Sequence, residues 1–112
     1  MREFGARSAR APIEMRVDLK ADNESFAATS KNLSVGGLFV ATDRQLRVGE
    51  QVAVELSLPG HVLPIAVGAE VRWIQMSDGR PFGLGLRFVR PSFGLTVAIH
   101  GLLRSVIGSR IS

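Results

Sequence analysis

Apolar residues recur at every second position over most of the chain before Pro91, and this period of two is the tightest constraint on the fold. Ile13, Met15, Val17 and Leu19 alternate with Glu14, Arg16, Asp18 and Lys20. Val52, Val54, Leu56 and Leu58 alternate with Gln51, Ala53, Glu55 and Ser57, and Leu84, Leu86 and Phe88 with Gly83, Gly85 and Arg87. Side chains two apart share one face of an extended strand, so each run predicts a strand with one buried face. Weaker signals over Ser25–Asn32, Leu38–Val40 and Val62–Gln75 complete a set of six, separated by turn residues such as Ala21–Glu24, Val48–Glu50, Pro59–His61 and Ser77–Arg80. Within Val62–Gln75, Val67, Ala69, Val71 and Trp73 are assigned to the buried face, with Glu70 and Arg72 opposite and Gly68 at a bulge or barrel corner.

After Pro91 the period changes. Ser92 suits a helix N-cap, and Leu95, Ala98, Ile99, Leu102, Leu103, Val106 and Ile107 follow helical spacing until Gly108. The expected fold is all-β with one terminal helix: a six-stranded antiparallel β-barrel plus a C-terminal α-helix (about 92–108) covering an open end. A chain of 112 residues fits one domain, here 13–112, preceded by an Arg-bearing arm over 1–12.

Composition removes several function classes. There is no cysteine, which excludes disulfides, thiolate metal sites and a cysteine nucleophile. His61 falls in a loop and His100 on the helix, with no motif joining either to a serine and a carboxylate, and two histidines leave a metal site short of ligands. A non-enzymatic protein is expected, with no catalytic or metal-binding residues and no cofactor. No apolar run approaches the ~18 residues that span a bilayer, and Met1–Pro12 lacks the apolar core of a secretory signal. The expected location is cytoplasmic, without membrane insertion.

The formal charge is +4, and all cations except Lys20 and Lys31 are arginine. The guanidinium fork suits bidentate contact with phosphate, carboxylate or a guanine edge. A barrel binding single-stranded nucleic acid needs exposed aromatic platforms. This chain has no tyrosine, and Trp73 and Phe88 stand among apolar strand positions and are assigned to the core, so no nucleic-acid partner is expected.

The segment Lys31-Asn32-Leu33-Ser34-Val35-Gly36-Gly37-Leu38 stands apart from these strand patterns. A glycine pair after a hydroxyl residue lets the backbone approach a ligand with its N–H groups free to donate. Asn32 and Ser34, two apart, would point the same way. By itself the pattern fits an ordinary hairpin with a glycine bulge better than a ligand site. Arg7 and Arg10, just before the first strand, add the guanidiniums that a phosphate ligand with guanine edges requires.

Asn32-Leu33-Ser34-Val35-Gly36-Gly37 matches the [D/N]-x-S-x-x-G motif of the PilZ domain family, the bacterial receptor module for cyclic di-GMP, at every specified position. Leu38-Phe39-Val40, the Val48-Gly49-Glu50 turn and Gly83-Leu84-Gly85-Leu86-Arg87-Phe88 also resemble PilZ segments, so the resemblance runs from about Arg7 to the terminal helix. It implies a cyclic di-GMP-binding effector in second-messenger signalling. Arg7, Arg10, Asn32, Ser34, Gly36 and Gly37 would form the site, and an unidentified downstream protein would be met by a monomer or homodimer. The family's R-x-x-x-R motif is incomplete: Arg10 precedes the first strand as its second arginine does, but Ala6 stands four residues earlier, with Arg7 beside it as the replacement. The alternative is a degenerate PilZ domain that binds no nucleotide and serves as a protein-interaction adaptor.

Overall fold

Six antiparallel strands and one helix make up the computed structural model, which describes residues 10–111, with side chains through Val106. The strands are β1 (Arg16–Ala21), β2 (Glu24–Ser34), β3 (Gly37–Ala41), β4 (Gln51–Leu56), β5 (Ile65–Ser77) and β6 (Arg80–Val89), followed by α1 (Phe93–Ile111). They close into a barrel in the order β1-β2-β3-β6-β5-β4, with β4 returning to β1. Closure leaves no free edge along the sheet.

The alternating residues do what their period requires. Val17, Leu19, Val54 and Leu56 are at most 1% exposed, and Leu33, Leu38, Val40, Ala69, Val71, Leu84 and Leu86 join them inside the barrel. Helix α1 adds Leu95, Ile99 and Leu103, one residue per turn along a single line, to the same cluster. Ser92 caps this helix: its hydroxyl accepts from the Leu95 N–H at 3.0 Å. The helix continues past Gly108, because a glycine weakens a helix by about 1 kcal/mol without breaking its hydrogen-bond ladder.

Three departures from the sequence pattern shape the molecule. Ile13 and Met15 are buried as their alternation demands, yet β1 starts only at Arg16. The residues before it are held across β2 instead. Ala11 and Leu33 exchange N–H···O bonds of 3.0 Å, and the fully buried Ser30 hydroxyl donates to the Ile13 carbonyl (2.7 Å) and accepts from the Met15 N–H (3.1 Å). Second, β2 is irregular between Ser30 and Asn32, so the inward positions change from Ser30 to Leu33. Third, β5 shifts register between Val71 and Trp73 and again between Gln75 and Met76, not at Gly68. The first shift places the extra residue, Arg72, on the outside and carries Trp73 out with it.

Candidate ligand-binding site

The two irregularities bring the chemistry onto one outer face. After the shift in β2, Asn32 pairs with Phe39 and Ser34 with Gly37; across β3, Phe39 pairs with Gly85 and Gly37 with Arg87; across β6, Gly85 pairs with Trp73 and Arg87 with Glu70. Two rows therefore run over β2-β3-β6-β5, one reading Asn32–Phe39–Gly85–Trp73 and the other Ser34–Gly37–Arg87–Glu70.

The first row is an aromatic platform on glycine. A Cβ at Gly85 would overlap the Trp73 indole, and one at Gly83 would overlap the Phe39 ring, so both rings lie flat on a strand that offers no side chain there. Phe39 and Trp73 stack with centroids 5.1 Å apart and planes 15° apart, and Phe82 meets Phe39 edge-on at 6.5 Å. Trp73 keeps 43% of its surface exposed, which reverses its assignment to the core. Phe88, assigned there with it, is buried. The readable signal for the platform was Gly83-x-Gly85: two glycines on one face of a strand leave room for a flat ring from each neighbour.

Beside the platform a cleft of about 470 Å³ is walled by Arg10, Arg72, Trp73 and Arg87 over a floor of Leu38, Gly85 and Leu86. Arg10 reaches it from outside the barrel, its Nη1 donating to Asn32 Oδ1 at 2.7 Å. Two residues 22 apart in sequence are so joined, anchored by the Ala11–Leu33 bridge. Glu70 Oε1 lies 3.1 Å from Arg87 Nη2 and 3.7 Å from Arg72 Nη1. Among the described residues, three guanidiniums and one carboxylate stand together beside an indole face. Such a site suits an anion that also carries a flat ring. A larger hollow of about 770 Å³ lies over β1, β2, β4 and β5, but Asp18 and Glu55 offset Arg16 and Lys20 there, and among the described residues no aromatic ring beyond Phe26 lines it.

The expected site residues separate by role. Arg10 and Asn32 are together at the cleft. Ser34 is fully buried, its hydroxyl accepting from the Gly36 N–H and donating to the Gly37 carbonyl, both at 3.3 Å, so it shapes the β2–β3 turn. The Gly36 carbonyl accepts from the Phe88 N–H at 2.9 Å. Gly37 does not adopt the left-handed backbone; it is needed because any Cβ would overlap the Leu86 carbonyl oxygen where β3 approaches β6. Arg7 and Ala6 lie outside the described residues. Arg72, Trp73 and Arg87 went unread as site residues. Among the described residues no group of three or more His, Cys, Asp or Glu side chains could hold a metal ion, and no helix is long and apolar enough to cross a membrane.

The model of the PilZ domain matches residues 6–104. The chain belongs to the PilZ domain family. No curated protein matches it by sequence. Among solved structures, this PilZ domain is similar to the Bacillus subtilis inhibitor of motility MotI/DgrA, with TM-score 0.77, 22% identity, and coverage of 94% of this chain and 50% of that one. It is similar to the PilZ domain of Escherichia coli YcgR, solved with c-di-GMP, with TM-score 0.72, 22% identity, and coverage of 93% and 92%. A Xanthomonas campestris tetrameric PilZ protein self-assembled through a helical bundle aligns with TM-score 0.58 and 27% identity over 81% of this chain and 50% of that one. The chain thus spans about half the length of MotI/DgrA and nearly all of the isolated YcgR domain.

Proposed function

We propose that this PilZ domain is a non-catalytic cyclic di-GMP effector whose ligand occupies the cleft between Arg10 and Trp73. The observation that carries the reading is the Arg10–Asn32 hydrogen bond at the mouth of a cleft that also holds Arg72, Arg87 and the exposed Trp73 face. Arg10 and Arg7 supply guanidinium forks for phosphate and guanine edges, Asn32 orients Arg10, and Trp73 offers its free face to a guanine base. Ser34, Gly36 and Gly37 hold the β2–β3 turn that leads into Leu38 on the cleft floor. Residues 1–12 act as the arm and 13–112 as the barrel with its helix. Ligand binding orders the part of the arm ahead of Arg10 over the barrel and creates a surface for a downstream protein in the cytoplasm, met by a monomer or a homodimer. YcgR's PilZ domain was solved with c-di-GMP and shares this fold, which supports the ligand class.

Isothermal titration of the protein with cyclic di-GMP tests this directly. Saturable heat that Arg10→Ala abolishes is the expected result; no heat up to high micromolar ligand refutes it.

One sequence observation favours a second reading. Ala6 stands where the family's first motif arginine is found, so the domain could be an adaptor with no nucleotide. Ala6→Arg separates the two. Conversion of a non-binding protein into a binding one supports the adaptor, and strong binding by the unmodified chain excludes it.

A further inference from the structure

Glu70 is the one acidic residue that pairs with the cleft arginines among the described ion pairs, and it stands between two of them. It is the cross-strand partner of Arg87 and the near neighbour of Arg72 on the same strand. Its side chain is 22% exposed, whereas both arginines are 54% exposed. One oxygen, Oε1, meets both guanidiniums.

We propose that Glu70 is a built-in competing anion: it occupies Arg72 and Arg87 and thereby lowers the affinity of the site for phosphate-bearing ligands. The inference rests on the ligand-binding reading above. Two effects of Glu70 oppose each other. As a hydrogen-bond acceptor it orients Arg87, but exposed ion pairs contribute little to holding a side chain. As a unit charge one side chain away from a bound phosphate it repels that phosphate directly, and it must release the guanidiniums before they can engage. The charge effect is the larger. Removing it changes the affinity for a doubly charged ligand by roughly threefold to thirtyfold between the well-screened and half-buried limits. Because the site is half open, the effect also depends on ionic strength.

Glu70→Gln isolates the charge, since its amide oxygen can still accept from Arg87 in the same place. The protein and this variant are titrated with cyclic di-GMP at low and at physiological salt, and each is followed by thermal unfolding in inorganic pyrophosphate at fixed ionic strength. The expected result is a threefold to thirtyfold tighter cyclic di-GMP complex for the variant, most marked at low salt, and a larger pyrophosphate-induced rise in Tm. If the unmodified protein binds cyclic di-GMP and the variant binds it equally or more weakly, the role of Glu70 is overturned while the ligand reading stands. If neither binds cyclic di-GMP, the ligand reading fails and the pyrophosphate arm decides: a larger Tm rise in the variant upholds Glu70 as a competing anion, and an equal or smaller rise overturns it.

Discussion

Replacing Ser30 by alanine removes one oxygen and two hydrogen bonds. The hydroxyl is fully buried, donates to the Ile13 carbonyl at 2.7 Å and accepts from the Met15 N–H at 3.1 Å. Both backbone groups sit on a segment that forms no regular strand, so no ladder neighbour can replace the lost partner. A buried group left without its partner costs about 1–3 kcal/mol, and the two here share one donor–acceptor atom, which places the loss at about 2 kcal/mol. For a domain of this size that lowers Tm by roughly 8 °C. Circular dichroism melts measure it, and amide exchange locates it, with faster exchange at Met15 and at the Ala11–Leu33 bridge. The same segment carries Arg10 to Asn32, so cyclic di-GMP affinity falls with it. A Tm within about 1 °C of the parent, with Met15 exchange unchanged, would refute the claim that Ser30 staples this segment to β2.

Trp73→Ala removes the stacking face, and base–aromatic stacking is worth about 1–3 kcal/mol. Calorimetry should therefore show cyclic di-GMP bound roughly 5- to 150-fold more weakly, with Trp73→Phe in between; unchanged affinity places the base elsewhere. Gly37→Ala puts a methyl into the Leu86 carbonyl oxygen, which is backbone and cannot swing aside. A loss of about 1–3 kcal/mol in denaturant unfolding is expected, and a neutral result contradicts the close β3–β6 approach. Arg16 hydrogen-bonds Asp18 at 2.8 Å and holds its carboxyl below the ordinary value. With its folded pKa depressed, Asp18 contributes stability above the ordinary carboxylate pKa of about 4 that is lost as pH falls through the folded value. An NMR titration should find Asp18 back in the ordinary range in Arg16→Ala.

The barrel was readable because period-two alternation survives wherever a strand is regular. Val17 and Leu19, Val54 and Leu56, and Leu84 and Leu86 are all inside as their spacing requires. Reading failed where a strand gains a residue. Trp73 follows Val71 at the spacing of a shared face, and only the register shift at Arg72 turns it outward. Nothing in the identity of Arg72 signals that shift; Gly83 and Gly85 on the partner strand do, because an outward-facing pair of glycines must be covered by something. The Asn32 end of the site was legible as a motif, yet its meeting with Arg10 depends on Ser30 and the Ala11–Leu33 bridge, which are tertiary contacts. Ser34 and Gly37 were legible by type, but the structure uses their polar and small character to build the turn.

Trp73 is the single tryptophan of the chain and stands in the wall of the cleft, so its fluorescence reports on that site alone. Titration with cyclic di-GMP while following this emission tests whether the ligand occupies the cleft between Arg10 and Trp73. A saturable change in the unmodified protein that Arg10→Ala abolishes is expected. Emission that stays constant up to high micromolar ligand, with no heat in a parallel calorimetric titration, would contradict it.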